Sequence, residues 1–221
     1  MATTTTSALA LILALATSPL MAQTTETPVE VPVVAADAVT DDGLSMGVDL
    51  GGTAPGAPYT VATFDDWEQR CVKGETGLET CQLYMLLKDA SGTATAEFAL
   101  FGLPAATEGP AVAGATFIAP LETLLTTGMS LQIDGGEAKA YPFSVCTQIG
   151  CVARLGFTAE EVQALKDGAA ATITVVPYVA PDQRVELKLS LAGITAGLAA
   201  VDAANHAADM ANKAAEGAAD Q

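Results

Sequence analysis

The sequence predicts a mainly β protein, an antiparallel β-sandwich or barrel-like single domain with one or two short helices. Three observations carry that expectation. Runs with strand character recur every 8 to 15 residues, with turn residues between them. One of these runs, 184–191, alternates strictly, so Val185, Leu187, Leu189 and Leu191 should face a core while the residues between face water. Finally, 221 residues suffice for one domain with a full core plus extensions, whereas two domains would each be small.

In chain order, residues 1–22 hold no charge, carry an apolar run over 8–16 and end in small residues before Gln23, which reads as a signal peptide cleaved after Ala22. Nine strongly apolar residues fall short of the roughly 20 that span a bilayer, and no later run is longer, so no transmembrane segment is expected in the mature chain. Residues 23–58 are rich in Thr, Pro, Val, Ala, Asp and Gly without helical or alternating period, which predicts an acidic disordered linker, with a short strand allowed over 32–36. The β domain is placed at 59–200. Strand character appears over 60–64, 80–88, 95–103, 130–133, 138–143, 152–157, 171–178 and 184–191.

Turns fit between these runs. Asp134-Gly135-Gly136 supplies positive φ for a hairpin, and Pro181-Asp182 does similar work before the last strand. One helix is well marked: Thr158 caps it, Glu160 and Glu161 fill its first turn, Val162 and Leu165 form its apolar face, and Gly168 ends it. A second helical piece is expected through Pro120, Leu121, Leu124 and Leu125, before Gly128. Within the Ala-rich tail, 201–221, the stretch 202–221 offers Met210 as its sizeable apolar side chain and should be a frayed or solvated helix with nothing to pack it.

Half of the residues are apolar but only 5% are aromatic, and much of the rest is alanine, so the core must rest on Val, Ile, Leu and Phe clusters. The formal charge is −17, none of it in residues 1–22, and residues 23–66 hold eight acidic side chains and no basic one. A field of that sign repels nucleic acid and anionic lipid. It suits solubility, or steering toward a basic partner or cations.

The four cysteines, Cys71, Cys81, Cys146 and Cys151, lie beyond the expected cleavage site, and an even count in an exported chain argues for disulfides. Three pairings exist; the sequence-local one, Cys71 with Cys81 and Cys146 with Cys151, is the expectation. Each loop so closed is worth about 2–3 kcal/mol by chain entropy. Zinc is disfavoured, because nine and four intervening residues miss the two-residue knuckle spacing and no histidine lies nearby. No cofactor is expected.

Trp67 with Arg70-Cys71, then Cys81-Gln82, Pro120-Leu121 with Gly128, the run Leu131-Gln132-Ile133-Asp134-Gly135-Gly136, Pro142-Phe143 and Cys146-Thr147-Gln148-Ile149-Gly150-Cys151 follow one another in an order that resembles the invasion associated locus B family. The resemblance spans roughly 64–198. It implies an exported protein of the periplasm or outer envelope, associated in some pathogens with host-cell invasion, and it implies no known enzyme activity. The acidic linker and the Ala-rich tail depart from the family pattern. Trp67 and Arg70 are the candidate binding residues. The bland alternatives are that Trp67 packs beside the first disulfide and that Arg70 pairs with Asp65 or Asp66. Gly135 and Gly150 read as conformational necessities.

His206, the sole histidine, lies in the tail, so no imidazole base is expected in the domain, and bridged cysteines are lost as nucleophiles. Asp65-Asp66 and Glu160-Glu161 are sequence neighbours that point apart, the second pair in a helix first turn where acid is favoured. No phosphate-cradling glycine loop or calcium loop is visible. The expectation is a non-enzymatic envelope or secreted binding module for a protein or surface glycan. The alternatives are a structural or stress-related periplasmic protein without a specific ligand and, behind it, a carboxylate-dependent glycan-active enzyme.

Overall fold

The computed structural model describes residues 56–74, 77–104 and 107–219. The expected signal peptide, the strand over 32–36 and nearly all of the acidic linker lie outside the described residues. Within them the chain forms β1 (Pro58–Phe64), β2 (Trp67–Lys73), β3 (Glu79–Lys88), β4 (Ala94–Gly102), β5 (Ala113–Ala119), β6 (Met129–Ile133), β7 (Ala138–Tyr141), β8 (Phe143–Thr147), β9 (Gly150–Phe157), α1 (Ala159–Asp167), β10 (Ala170–Val175), β11 (Val185–Ser190) and α2 (Ile194–Ala219). A seven-stranded sheet runs β1-β2-β3-β4-β5-β9-β8 and a four-stranded one runs β11-β10-β6-β7. All the pairings are antiparallel, and neither sheet closes into a barrel.

Alternation explains which faces are buried. Leu187, Leu189 and Leu191 are buried and Val185 packs against the same cluster, as the 184–191 pattern requires. Leu83, Met85 and Leu87 of β3, Phe98 and Leu100 of β4, Phe117 of β5 and Leu155 and Phe157 of β9 join them from the larger sheet in one core. Burying each such side chain contributes roughly 1.5–3 kcal/mol. The expected turns form. Asp134 (φ 45°) and Gly135 (φ 71°) are both left-handed, and the Gly136 N–H donates to the Ile133 carbonyl at 2.8 Å, closing the β6–β7 hairpin. The Gln183 N–H donates to Ala180 across Pro181-Asp182 at 2.9 Å. Gly150, at φ 139°, has no room for a side chain: a Cβ would lie 2.8 Å from Ile118 Cγ2.

Several elements differ from the sequence reading. Trp67–Lys73 and Ala113–Ala119 are strands where the pattern gives no strand expectation. The run 138–143 is two strands in different sheets: β7 pairs with β6, β8 pairs with β9, and Pro142, which lacks an N–H, stands at the switch. The helical piece before Gly128 is only a 3-10 turn, Leu125–Thr127. α1 forms with a complete capping box, Glu161 N–H to the Thr158 hydroxyl and Thr158 N–H to the Glu161 carboxylate.

The largest difference is at the C-terminus. α2 is a single helix of 26 residues that runs from the domain through the segment expected to be an unpacked tail. Ile194, Leu198 and Val201 are buried and Ala204 packs against the core. Small side chains allow the close approach, for a Cβ on Gly197 would come within 2.5 Å of a Leu83 methyl.

Candidate functional site

The features that could hold a partner gather where β3 leaves β4. β3 pairs with β2 from Glu79 to Tyr84, but with β4 only from Leu83 to Lys88. Continuing the β3–β4 register would bring Gly102 opposite Cys81. Instead the two strands part, and side chains of α2 satisfy their backbones. Asn205 Oδ1 accepts from the Cys81 N–H at 2.7 Å, and Asn205 Nδ2 donates to the Cys81 carbonyl at 3.0 Å. Three residues earlier on the same helix face, the Asp202 carboxylate accepts from the Gly102 N–H. Partial burial raises the Asp202 pKa from its ordinary value, against the opposing pull of that N–H and of Lys166. A side-chain amide thus imitates a neighbouring strand and satisfies both backbone groups of Cys81 where the strands part.

Directly beside this latch, Cys81 is bonded to Cys71, its register partner on β2. Both cysteines are buried. In the fork lies a cleft of about 420 Å³, walled by the apolar side chains of Val72, Phe101 and Pro104, floored by Asn205 and rimmed by Glu79 and Asp209. Among the described residues, no lysine, arginine or histidine lines it. The Tyr59 hydroxyl hydrogen-bonds Glu79, and that hydrogen bond holds the phenol above its ordinary pKa. A second cleft of about 260 Å³ continues on the other side of Glu79, between the start of β3 and the Ala208, Ala211 and Asn212 face of α2.

The residues singled out from sequence fall elsewhere. Trp67 is fully buried; its indole N–H donates to the Ser190 carbonyl at 3.0 Å and its ring packs edge-on to Phe98. A ring with no accessible surface offers no stacking platform, so its part is to tie the two sheets together. Arg70 lies on the outer face of β2, 3.4 Å above the Tyr84 ring centre and 2.9 Å from Glu68. It pairs with Glu68 rather than with Asp65 or Asp66, which make the tight turn between β1 and β2. The guanidinium holds the Glu68 carboxyl below its ordinary pKa. Asn205 and Asp209 are not legible as site residues in the sequence, since their relation to β3 exists only once the sheet order is known.

The second expected disulfide, Cys146–Cys151, also forms, between register partners on β8 and β9. His206 is exposed on α2. Cys71, Glu79 and Cys81 have potential ligand atoms within 4.8 Å of one another, but two sulfurs bonded to each other are not thiolate donors. Glu137 and Glu161 share a small cleft of about 200 Å³ with Lys139 and Tyr141. There one Glu161 oxygen pairs with Lys139 and the other accepts from the Thr158 N–H, so that carboxylate is committed to structure.

Comparison with known proteins places this architecture. Residues 67–202 match the model of the invasion associated locus B (IalB) protein family, a span that starts at Trp67 and ends at the Asp202 of the latch. The chain belongs to the invasion associated locus B family. An invasion protein B homolog of Brucella abortus strain 2308 is 30% identical over 162 residues, covering 73% of this chain and 90% of the relative. A homolog from Brucella abortus biovar 1 strain 9-941 matches equally. The crystal structure of invasion associated protein B from Bartonella henselae superposes with a TM-score of 0.54 at 20% identity, over 63% of this chain and 92% of that one, which supports a shared family fold. Fold, both disulfides and family membership thus agree with the sequence reading.

Proposed function

We propose that this member of the invasion associated locus B family is an exported, non-enzymatic binding module of the periplasm or outer envelope, which receives a protein or envelope glycan at the β3–β4 fork. The observation that carries the reading is the fork itself. A cleft of about 420 Å³ lies within the range of ligand sites, and its walls are held open by a buried disulfide and by the Asn205 latch. Preformed, rigid walls reduce the ordering cost of association. Two disulfides fit an oxidising compartment, and no helix among the described residues is long and apolar enough to cross a membrane. Export follows from residues 1–22, with cleavage near Ala22.

A photo-crosslinking residue placed at Pro104, on the rim, should give a discrete adduct in the native envelope. The same residue at Lys188, on the exposed side of β11, should give none. A Thr80→Phe variant fills the cleft from an exposed strand position and should abolish the adduct while keeping the wild-type melting temperature. Adducts equal at both positions, or an adduct unaffected by Thr80→Phe, would remove the fork from this role.

A further inference from the structure

We infer that the fork recognises a basic side chain, lysine or arginine, presented by an extended segment of a partner protein; this rests on the fork being the binding site. Charge complementarity selects that occupant. The cleft combines a wall of apolar side chains, Val72, Phe101 and Pro104, with two carboxylates at its rim, Glu79 and Asp209, and no cationic side chain among the described residues lines it. That arrangement matches the anatomy of a long basic side chain, whose methylene stem takes apolar contact while its charged head stays at the wet rim. An anionic group would meet two carboxylates in a chain of formal charge −17, and a neutral glycan would bring neither of them a counter-charge.

The extended form of the partner follows from the second cleft. It shares Glu79 with the first and continues along α2 past Ala208 and Ala211, so a segment whose basic residue sits in the fork has a lane for the residues beside it. The lane is bordered by small alanine side chains, which admit a backbone closely. Neither carboxylate at the rim belongs to the Asn205 or Asp202 latch, so each can engage a cation without the fork coming apart.

The test is an NMR titration of the full mature chain with three blocked tripeptides, Ala-Lys-Ala, Ala-norleucine-Ala and Ala-Glu-Ala. The lysine peptide should move the amide signals of Cys81 and Gly102 and the Asn205 side-chain amide, and raising the salt should weaken it. Losing the charge in norleucine should weaken binding about five-fold or more, and Asp209→Asn should weaken the lysine peptide roughly two- to five-fold while leaving norleucine unchanged, the scale of an exposed ion pair. Norleucine binding as tightly as lysine would overturn the inference and leave the fork a binding site. The inference also fails, with the fork still a binding site, if no peptide moves the fork signals while the Pro104 adduct persists. Silent peptides together with a missing adduct would end both readings.

Discussion

The two disulfide hairpins of this molecule have the same local design, but one is buried at both cysteines and the other at only one. In each, the cysteines are direct register partners on neighbouring antiparallel strands, with Cα atoms 4.0 Å apart. Cys71–Cys81 lies inside the larger sheet, buried and held from the far side by Asn205. Cys146–Cys151 ties the outermost strand, β8, to β9; Cys151 is buried on β9, but Cys146 is exposed, and Val145 and Ile149 beside it stand half or more in solvent. The same covalent bond is therefore part of the core and of the candidate site in one hairpin, and a staple on a sheet edge in the other.

The greatest separation between the two should appear on removing each bond. Replacing both Cys71 and Cys81 with Ala should cost about 3–5 kcal/mol in urea unfolding, because loop-closure entropy and core packing are lost together. Replacing Cys146 and Cys151 should cost less, about 2–3 kcal/mol, the entropy of the short loop plus the packing of the one buried sulfur of Cys151. Equal costs would mean that burial adds nothing to the first bond. Next in size, Asn205→Ala should cost about 1–3 kcal/mol by stranding the Cys81 N–H and carbonyl. It should also speed hydrogen exchange at Cys81 while leaving Cys146 unchanged.

The smallest effect is electrostatic. Because Asp202 has a raised pKa in the folded chain, the native state binds its proton more readily than the unfolded one. Its contribution to stability is complete below the ordinary carboxylate range and is lost as pH rises through the raised folded value. Melting temperatures of wild type relative to Asp202→Asn should therefore improve as pH is lowered from 7 toward 4. A difference independent of pH would show that burial does not outweigh the Gly102 N–H and Lys166 at this carboxylate.

The elements legible in sequence are those whose faces differ strongly. β11 with its alternating Leu and charge, α1 with its capping box and the Asp134-Gly135 hairpin can all be read from residues alone. β2 carries the same alternation, with Trp67, Gln69 and Cys71 inward and Glu68, Arg70 and Val72 outward, but its charges and cysteine make it look like a motif rather than a strand. β5 is half small residues, Ala-Gly-Ala, which carry weak pattern. A helix in the tail is legible from its alanines, but the docking of α2 is not, because alanine buries little area and the packing depends on close approach over Gly197 and on one asparagine reaching a strand 124 positions away. The site shares that fate: a fork between two strands is a property of register and sheet order, which no local pattern encodes.

The contrast between the hairpins, and with it the claim that the fork is the fixed part of the molecule, is tested most directly by graded reduction under native conditions, with alkylation and mass spectrometry at each step. Cys146 and Cys151 should become alkylated while the fold persists, and Cys71 and Cys81 only as the molecule unfolds. Early alkylation of Cys71 and Cys81 in a still-folded chain, with Cys146–Cys151 intact, would contradict the account.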